Sequence, residues 1–278
     1  DTRGHPSASA SLIPTAVTPL SGPKTSASVR CLELDKFTAH RCRVKVYLAS
    51  PNTQQQAEHA AGMPVLLSYA CWSPWQFSYQ QSYSRILIDS GAYSEFTTGK
   101  PIDIAAYADW ASQWVEHADA IAGLDAINGD WRRSLANYSQ FPNGFPTYHE
   151  TDPPEFLDDV IAIAKQRKQW IGIGLLPATR GKRAGWGWLR ETLERIPASI
   201  HVHGWALRAY TKIRRIDSVD STNWWRDAMK LRTIRDLSHL TYGECLEIVV
   251  KRYERWDRTI ETTHKQMSLL GMFDAVQD

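Results

Sequence analysis

The chain has 278 residues, with 32 Lys and Arg against 30 Asp and Glu for a formal net charge of +2, and it is 43% hydrophobic. Its 16 Gly and 14 Pro exclude collagenous and wholly disordered classes, and no apolar run approaches the roughly 18 residues of a membrane-spanning helix. The near-zero charge excludes coating of nucleic acid by bulk charge while leaving room for a local basic patch.

In chain order, residues 1–30 are rich in Ser, Ala, Pro and Thr and read as a flexible extension, because they hold little apolar surface to bury. Residues 31–278 read as one domain. Short apolar runs predict strands at Val44–Leu48, Pro64–Tyr69, Arg85–Ser90, Ala120–Leu124, Thr147–His149, Trp170–Leu176, Ile200–Gly204 and Ile216–Asp220. Helices are predicted between them at Thr53–His59, Asp103–His117, Pro154–Lys168, Gly187–Arg195 and Ser221–Lys230. In Asp103–His117 the apolar residues Ile104, Tyr107, Ala108, Ala111, Trp114 and Val115 share one helical face. Helices are expected again from Leu231 onward, packed outside the rest. Eight strands alternating with helices predict a (β/α)8 TIM barrel, with an open doubly wound sheet as the other closure of the same pattern.

Several strands end in polar residues: Asp89-Ser90-Gly91-Ala92-Tyr93, Asp125, His149-Glu150 and Asp220-Ser221-Thr222. In a parallel barrel these ends open onto one face, where active sites form. A single Asp after a strand reads equally well as a helix N-cap. Several together would raise at least one pKa and set a proton donor beside an ionised nucleophile, the pairing that cleavage of a glycosidic bond requires. Gly91 allows close backbone approach and Tyr93 offers a flat face. Gly172, Gly174, His203 and Gly204 mark further places where a planar base could rest. Ser90 and His149 complete the substrate-binding candidates.

Asp89-Ser90-Gly91-Ala92-Tyr93 resembles the Asp-Ser-Gly-Gly-Tyr/Phe signature of the tRNA-guanine transglycosylase family. His203-Gly204-Trp205-Ala206 followed by Ser218-Val219-Asp220-Ser221-Thr222-Asn223-Trp224 resembles that family's later pair of motifs. The likeness runs from Pro64 to Lys230 and is nearest to the compact phage and genomic-island branch, associated with 7-deazaguanine bases in DNA. It implies a TIM barrel in which Asp220 is the nucleophile on C1′ of a guanosine nucleotide and Asp89 the general acid/base. It further implies that Asp125 reads the guanine edge, that Tyr93 stacks on the base, and that Gly172 and Gly174 make backbone contacts. Asp217 competes for the nucleophile's role, since Ile216-Asp217-Ser218 has a similar local form; Trp224, four residues after Asp220, favours Asp220. Ala92 replaces the signature's second Gly.

A polynucleotide needs a basic rim. Arg180, Lys182, Arg183 and Arg190 with Trp186 and Trp188 predict a basic, aromatic loop punctuated by glycines; Arg208, Lys212, Arg214 and Arg215 form a second group, and Arg226, Lys230, Arg232 and Arg235 a third that reads as a solvated helix face. Cys31, Cys42, Cys71 and Cys245 lack CxxC spacing, so neither a disulfide framework nor a zinc site is expected, and the cysteines read as reduced thiols of a cytoplasmic protein without a cofactor. The expected activity is exchange of guanine in DNA for a 7-deazaguanine such as 7-cyano-7-deazaguanine. The same exchange on tRNA, an N-glycoside hydrolase and a non-catalytic nucleic-acid-binding subunit are the alternatives. Of the 12 Trp, Trp110, Trp114 and Trp170 are expected in packing positions and Trp186, Trp188, Trp205 and Trp224 near the active face.

Overall fold

A computed structural model describes residues 44–174, 183–205 and 215–258. They belong to the unit Arg41–Asp278. The extension expected over residues 1–30 lies outside the described residues. Eight strands form one sheet: β1 (Lys45–Ala49), β2 (Pro64–Ser68), β3 (Arg85–Asp89), β4 (Ala120–Ile121), β5 (Thr147–His149), β6 (Trp170–Gly174), β7 (His201–Trp205) and β8 (Ser218–Ser221). Every pairing is parallel, and the order β4-β3-β2-β1-β8-β7-β6-β5 sets β1 beside β8. The two ends, β4 and β5, meet through a parallel bridge between Ala122 and Phe145. Phe145 N donates to Ile121 O at 2.7 Å and Gly123 N to Phe145 O at 2.8 Å. The ring closes there, as the barrel reading expects.

Alternation along each strand divides the apolar residues between two faces. Val46, Leu48, Val65, Leu67, Ile86, Ile88, Ile171, Val202 and Val219 face the surrounding helices. Tyr47, Ala49, Leu66, Leu87, Ala120, Ala122 and Phe145 fill the barrel interior, with Trp170 against them. Both faces are covered, which is why the strands read as short runs without polar alternation.

The helices are α1 (Gln54–His59), α2 (Ala92–Thr98), α3 (Ile104–Ser112), α4 (Trp131–Gln140), α5 (Phe156–Gln166), α6 (Arg183–Arg195), α7 (Asn223–Leu231) and α8 (Tyr242–Arg258). Asp103 caps α3 by accepting from Ala105 N and Ala106 N, and the helix buries Tyr107, Trp110 and Ala111. It stops short of the expected His117 because Gln113 N and Trp114 N bond three residues back, to Trp110 O and Ala111 O. Between β2 and β3 the chain uses 3₁₀ turns at Tyr69–Cys71 and Pro74–Ser82. Beyond the barrel, α8 packs on α7, α1 and β1 and buries Cys245, Leu246, Val249 and Tyr253. Among the described residues no helix is long and apolar enough to cross a membrane.

The N-terminal end of the barrel is closed by a polar plug. Asp119, just before β4, accepts from the Tyr47 hydroxyl at 2.8 Å and pairs with Arg85 at 3.1 Å and Lys45 at 3.8 Å. Tyr47 is fully buried, so its hydroxyl has no water to fall back on. Asp119→Ala is therefore expected to lower stability by about 1–3 kcal/mol in urea melts. Tyr47→Phe added to Asp119→Ala should cost little more, because the orphaned hydroxyl is removed with its partner. Additive losses in that double-mutant cycle would refute the plug as a coupled unit.

Candidate active site

A cavity of about 520 Å³ opens where the strands end, lined by residues from both sides of the ring. Asp89, Asp125, Asp220, His149 and His203 all reach it, as do Gly91, Tyr93, Gly172, Cys71, Trp225 and Arg226. The paired inward positions explain the convergence. Ser68 pairs with Asp89 across β2 and β3, Tyr47 with Asp220 across β1 and β8, and Gly172 with both Thr147 and His203.

Asp89 ends β3 and is fixed by the turn that follows. Gly91 N donates to its Oδ2 at 3.0 Å, and Ser68 bonds its side chain. Gly91 adopts φ +85°, and a Cβ there would lie 2.5 Å from the Ala70 Cβ, so both conformation and space demand glycine. Gly91 then caps α2, with Ser90 buried beneath it and Ser90 Oγ accepting from Ala92 N. Burial raises the Asp89 pKa to about 6; the Ser68 and Gly91 hydrogen bonds oppose the rise, and the charges of Asp220 and Asp125 add to it.

Asp125 is buried and held by His149, whose Nε2 lies 2.5 Å from its Oδ2. Burial works against a charge on His149, but the Asp125 hydrogen bond and charge, helped by Asp152 and Glu150, outweigh it and raise the pKa. Asp152 accepts from His149 N at 2.8 Å and is itself pushed up to about 6, chiefly by burial. The His149 ring lies against β6 where Gly174 leaves room; a Cβ at Gly174 would overlap the ring at Nδ1 and Cε1. Gly174 thus makes room for the His149 ring.

On the opposite wall, His203 Nε2 faces Asp220 Oδ1 at 3.3 Å, and His203 Nδ1 bonds Ser218 Oγ at 2.9 Å. Tyr93 stands at the rim, 46% exposed. A second cavity of about 440 Å³ adjoins the first and shares Ala92, Asp125 and Ile127 with it. Phe96, Asn128 and the Arg133–Glu95 ion pair (2.6 Å) border this side cleft.

Other expected residues lie elsewhere. Asp217 precedes β8 at the N-terminal end of the barrel, where it accepts from Val202 N at 2.7 Å and pairs with Arg215 at 3.4 Å. Its candidacy as alternative nucleophile rested on the local form Ile216-Asp217-Ser218; β8 begins only at Ser218, so Asp217 lies at the end of the strand away from the cavity. Gly204 faces outward, toward Ile216. The loop expected across 180–190 is helix from Arg183 onward, with Gly185 and Gly187 inside α6. Trp186 packs on the core, and Trp188 does so while stacking on Tyr148 at 5.6 Å, so both are occupied as packing groups; Arg190 is exposed on the same helix. Arg180, Lys182 and the Arg183 side chain lie outside the described residues, as do Arg208, Lys212, Arg214, the Trp205 side chain and two cysteines, Cys31 and Cys42. Arg215 is spent on the carbonyls of Ile196, Pro197 and Ile200. Trp224 is fully buried and donates from Nε1 to Ala49 O at 3.0 Å, whereas its neighbour Trp225 lines the cavity beneath Arg226, whose guanidinium sits 5.1 Å from its ring. Trp225 is not among the residues expected at the active face, and Arg226 is expected on a solvated helix face. Helical spacing from Asn223 held the signal, because adjacent residues on one turn must face different ways. Among the described residues no cluster of three or more His, Cys, Asp or Glu could hold a metal ion.

No protein-family model matches the chain, and no curated protein matches it in sequence. Among solved structures, a "putative fructose-1,6-biphosphate aldolase" from Coccidioides immitis aligns with a TM-score of 0.51 at 10% identity, covering 79% of this chain and 91% of that one. The YdjI aldolase from Escherichia coli K12 aligns at 0.43 and 10% identity, over 77% and 88%. At such identity the first likeness speaks for the barrel fold alone.

The environment of Asp89 yields a measurable pH dependence. Its pKa is about 6 in the folded protein against 3.8 for an ordinary Asp. Between those values the folded protein keeps a proton that the unfolded chain releases, so stability declines as pH rises through the window and then levels off. Asp89→Asn is expected to stabilise the protein by up to about 3 kcal/mol above pH 7 and hardly at all below about pH 4. A pH-independent difference in denaturant melts would contradict this assignment.

Proposed function

We propose that the chain is a transglycosylase that exchanges guanine in DNA for a 7-deazaguanine base. The observation that carries this reading is the pairing of Asp89, held partly protonated near neutral pH, with Asp220 in one nucleotide-sized cavity. The two segments that deliver them are the ones that resemble the tRNA-guanine transglycosylase motifs. Asp125, anchored by His149, offers a carboxylate oxygen to the N–H groups on a guanine edge. Tyr93 at the rim and Trp225 in the wall supply flat faces for a base that has left its stack.

In this reading Asp220 attacks C1′ with one carboxylate oxygen. The bond between C1′ and the base nitrogen breaks, its electron pair leaves with guanine, and Asp89 gives that base a proton. The incoming 7-deazaguanine then surrenders its ring N–H proton to Asp89 and attacks C1′, expelling Asp220. Two displacements retain the configuration at C1′, and no other reactant is consumed. Arg226 over Trp225 offers a cation for the phosphate next to the flipped nucleotide. The side cleft across Asp125, with Phe96 at its edge, is roomy enough for a neighbouring base. These two features, rather than the expected Trp186 and Trp188, support polynucleotide contact among the described residues.

The test is base exchange with labelled guanine or 7-cyano-7-deazaguanine, offered DNA and tRNA in parallel. Label is expected in DNA. Label in tRNA alone would move the substrate to RNA, release of free guanine without incorporation would indicate an N-glycoside hydrolase, and no reaction with either polymer would overturn the proposal. Asp220→Ala should abolish the covalent polymer adduct. Asp89→Asn should lower exchange by about 10²–10⁴-fold, the range for loss of a general acid/base. Asp217→Asn should leave exchange within a few fold of the parent.

A further inference from the structure

The barrel interior below the cavity carries an ordered polar column. Alternation on β7 turns His201 and His203 inward and Val202 outward; alternation on β8 turns Ser218 and Asp220 inward and Val219 outward. The parallel register sets His203 opposite Ser218. His201 Nε2 lies 2.7 Å from Ser218 Oγ, Ser218 Oγ lies 2.9 Å from His203 Nδ1, and His203 Nε2 lies 3.3 Å from Asp220 Oδ1. Ser218 is fully buried and His203 is 8% exposed, so the middle of the column is sealed from solvent, while His201 at its lower end is half-buried. The His201 ring is stacked on Trp170 at 3.6 Å, which fixes the lower end.

Donor and acceptor capacities set the direction of this column. His203 Nε2 faces Asp220 Oδ1 at 3.3 Å without the alignment of a hydrogen bond; a carboxylate only accepts, so for the two to bond His203 must carry its hydrogen on Nε2. A neutral His203 then has a bare Nδ1, which accepts the Ser218 hydroxyl proton. That leaves a Ser218 lone pair for an N–H on His201 Nε2. Burial above all, with the charges of Lys45 and Arg215 in support, holds the His201 pKa below the usual imidazole range, so His201 is neutral and has one N–H to give. Every hydrogen in the column therefore points toward Asp220.

We propose that His203 is a positioning residue for Asp220, kept in its Nε2–H form by Ser218 and His201, so that Asp220 Oδ1 is anchored and Oδ2 is left free to attack. The inference rests on the reading of Asp220 as the nucleophile. A neutral imidazole donor orients the carboxylate without cancelling its charge, whereas an imidazolium would hold it as an ion pair. The 3.3 Å separation suits a contact that tightens when a nucleotide fills the cavity and expels water. On departure of Asp220 in the second displacement, the same donor stabilises the returning carboxylate charge.

Two measurements on the full chain test this. Nitrogen-15 NMR of labelled histidine, with His203→Gln used to assign the ring, reads the tautomer directly. At pH 8 His203 is expected as a single neutral Nε2–H form, and Ser218→Ala is expected to convert it to a mixture. A His203 signal indifferent to Ser218→Ala would overturn the column, whether or not the protein exchanges bases. Exchange kinetics read the purpose of the column. His203→Ala should lower kcat about 10²-fold, the cost of a misplaced reacting group, with KM nearly unchanged. His203→Gln, whose amide can still donate to Oδ1, should recover much of that loss. Equal losses in the Ala and Gln variants, or exchange as fast as the parent in His203→Ala, would overturn the positioning role. A parent protein that exchanges no base would instead overturn the proposed function, and the NMR arm would still decide the column.

Discussion

Closure of the ring between Ala122 and Phe145 is the constraint on which the rest depends. An open sheet has two faces and two edges, whereas a closed ring of eight strands has one lumen, and every second residue must fit inside it. Tyr47, Leu87, Phe145 and Trp170 fill that lumen from below, the Asp119 plug closes its lower end, and the inward polar residues are the His201–Ser218–His203 column and those where the strands open. Without closure, Asp125 after β4 and His149 at the end of β5 would lie at opposite edges of a sheet. With it, they are 2.5 Å apart.

Three carboxylates share one cavity, and each has different neighbours. Asp125 has His149, a buried imidazole whose pKa is raised and which therefore supplies a donor. Asp220 has His203 from the neighbouring strand. Asp89 has only neutral donors, Ser68 and the Gly91 N–H, and these do not outweigh its burial. Asp89 is consequently the carboxylate whose pKa is raised, to about 6. The difference between Asp89 and the other two follows from which neighbours the strand register provides, since all three side chains are the same chemical group.

Helices were legible where burial was apolar and hidden where it was polar. The stripe of Tyr107, Trp110 and Ala111 announces α3. The sequence of α4, Trp131–Gln140, has no such stripe because it buries Ser134 and Asn137. Their side chains bond Ala126 N and Leu124 O, so this helix is held by the β4–α4 loop that it supports. Likewise α2 begins at a left-handed Gly91 after a strand, and its exposed Tyr93 and Phe96 give no core-facing period. Gly185 and Gly187 suggest a loop, yet Trp186, Leu189 and Leu193 gain enough burial to draw them into α6. Tertiary packing overrides a propensity difference of about 1 kcal/mol per glycine.

The sequence by itself determined the alternation of parallel strands and helices and the polar strand ends, because hydrophobic runs and their punctuation are local properties of the chain; closure into a barrel rather than an open sheet was decided by the Ala122–Phe145 pairing. The sequence also singled out Asp89, Asp125, Asp220, His149 and His203, all of which the fold brings to one cavity. Only the tertiary structure decided that Asp217 points away, that Trp225 and not Trp224 lines the wall, and that Trp188 is spent on Tyr148. It alone revealed Ser218 and His201 beneath His203. The physical reason is register: a one-residue slip in a strand reverses which side chains enter the lumen, and register is set by pairing with neighbours far away in the chain.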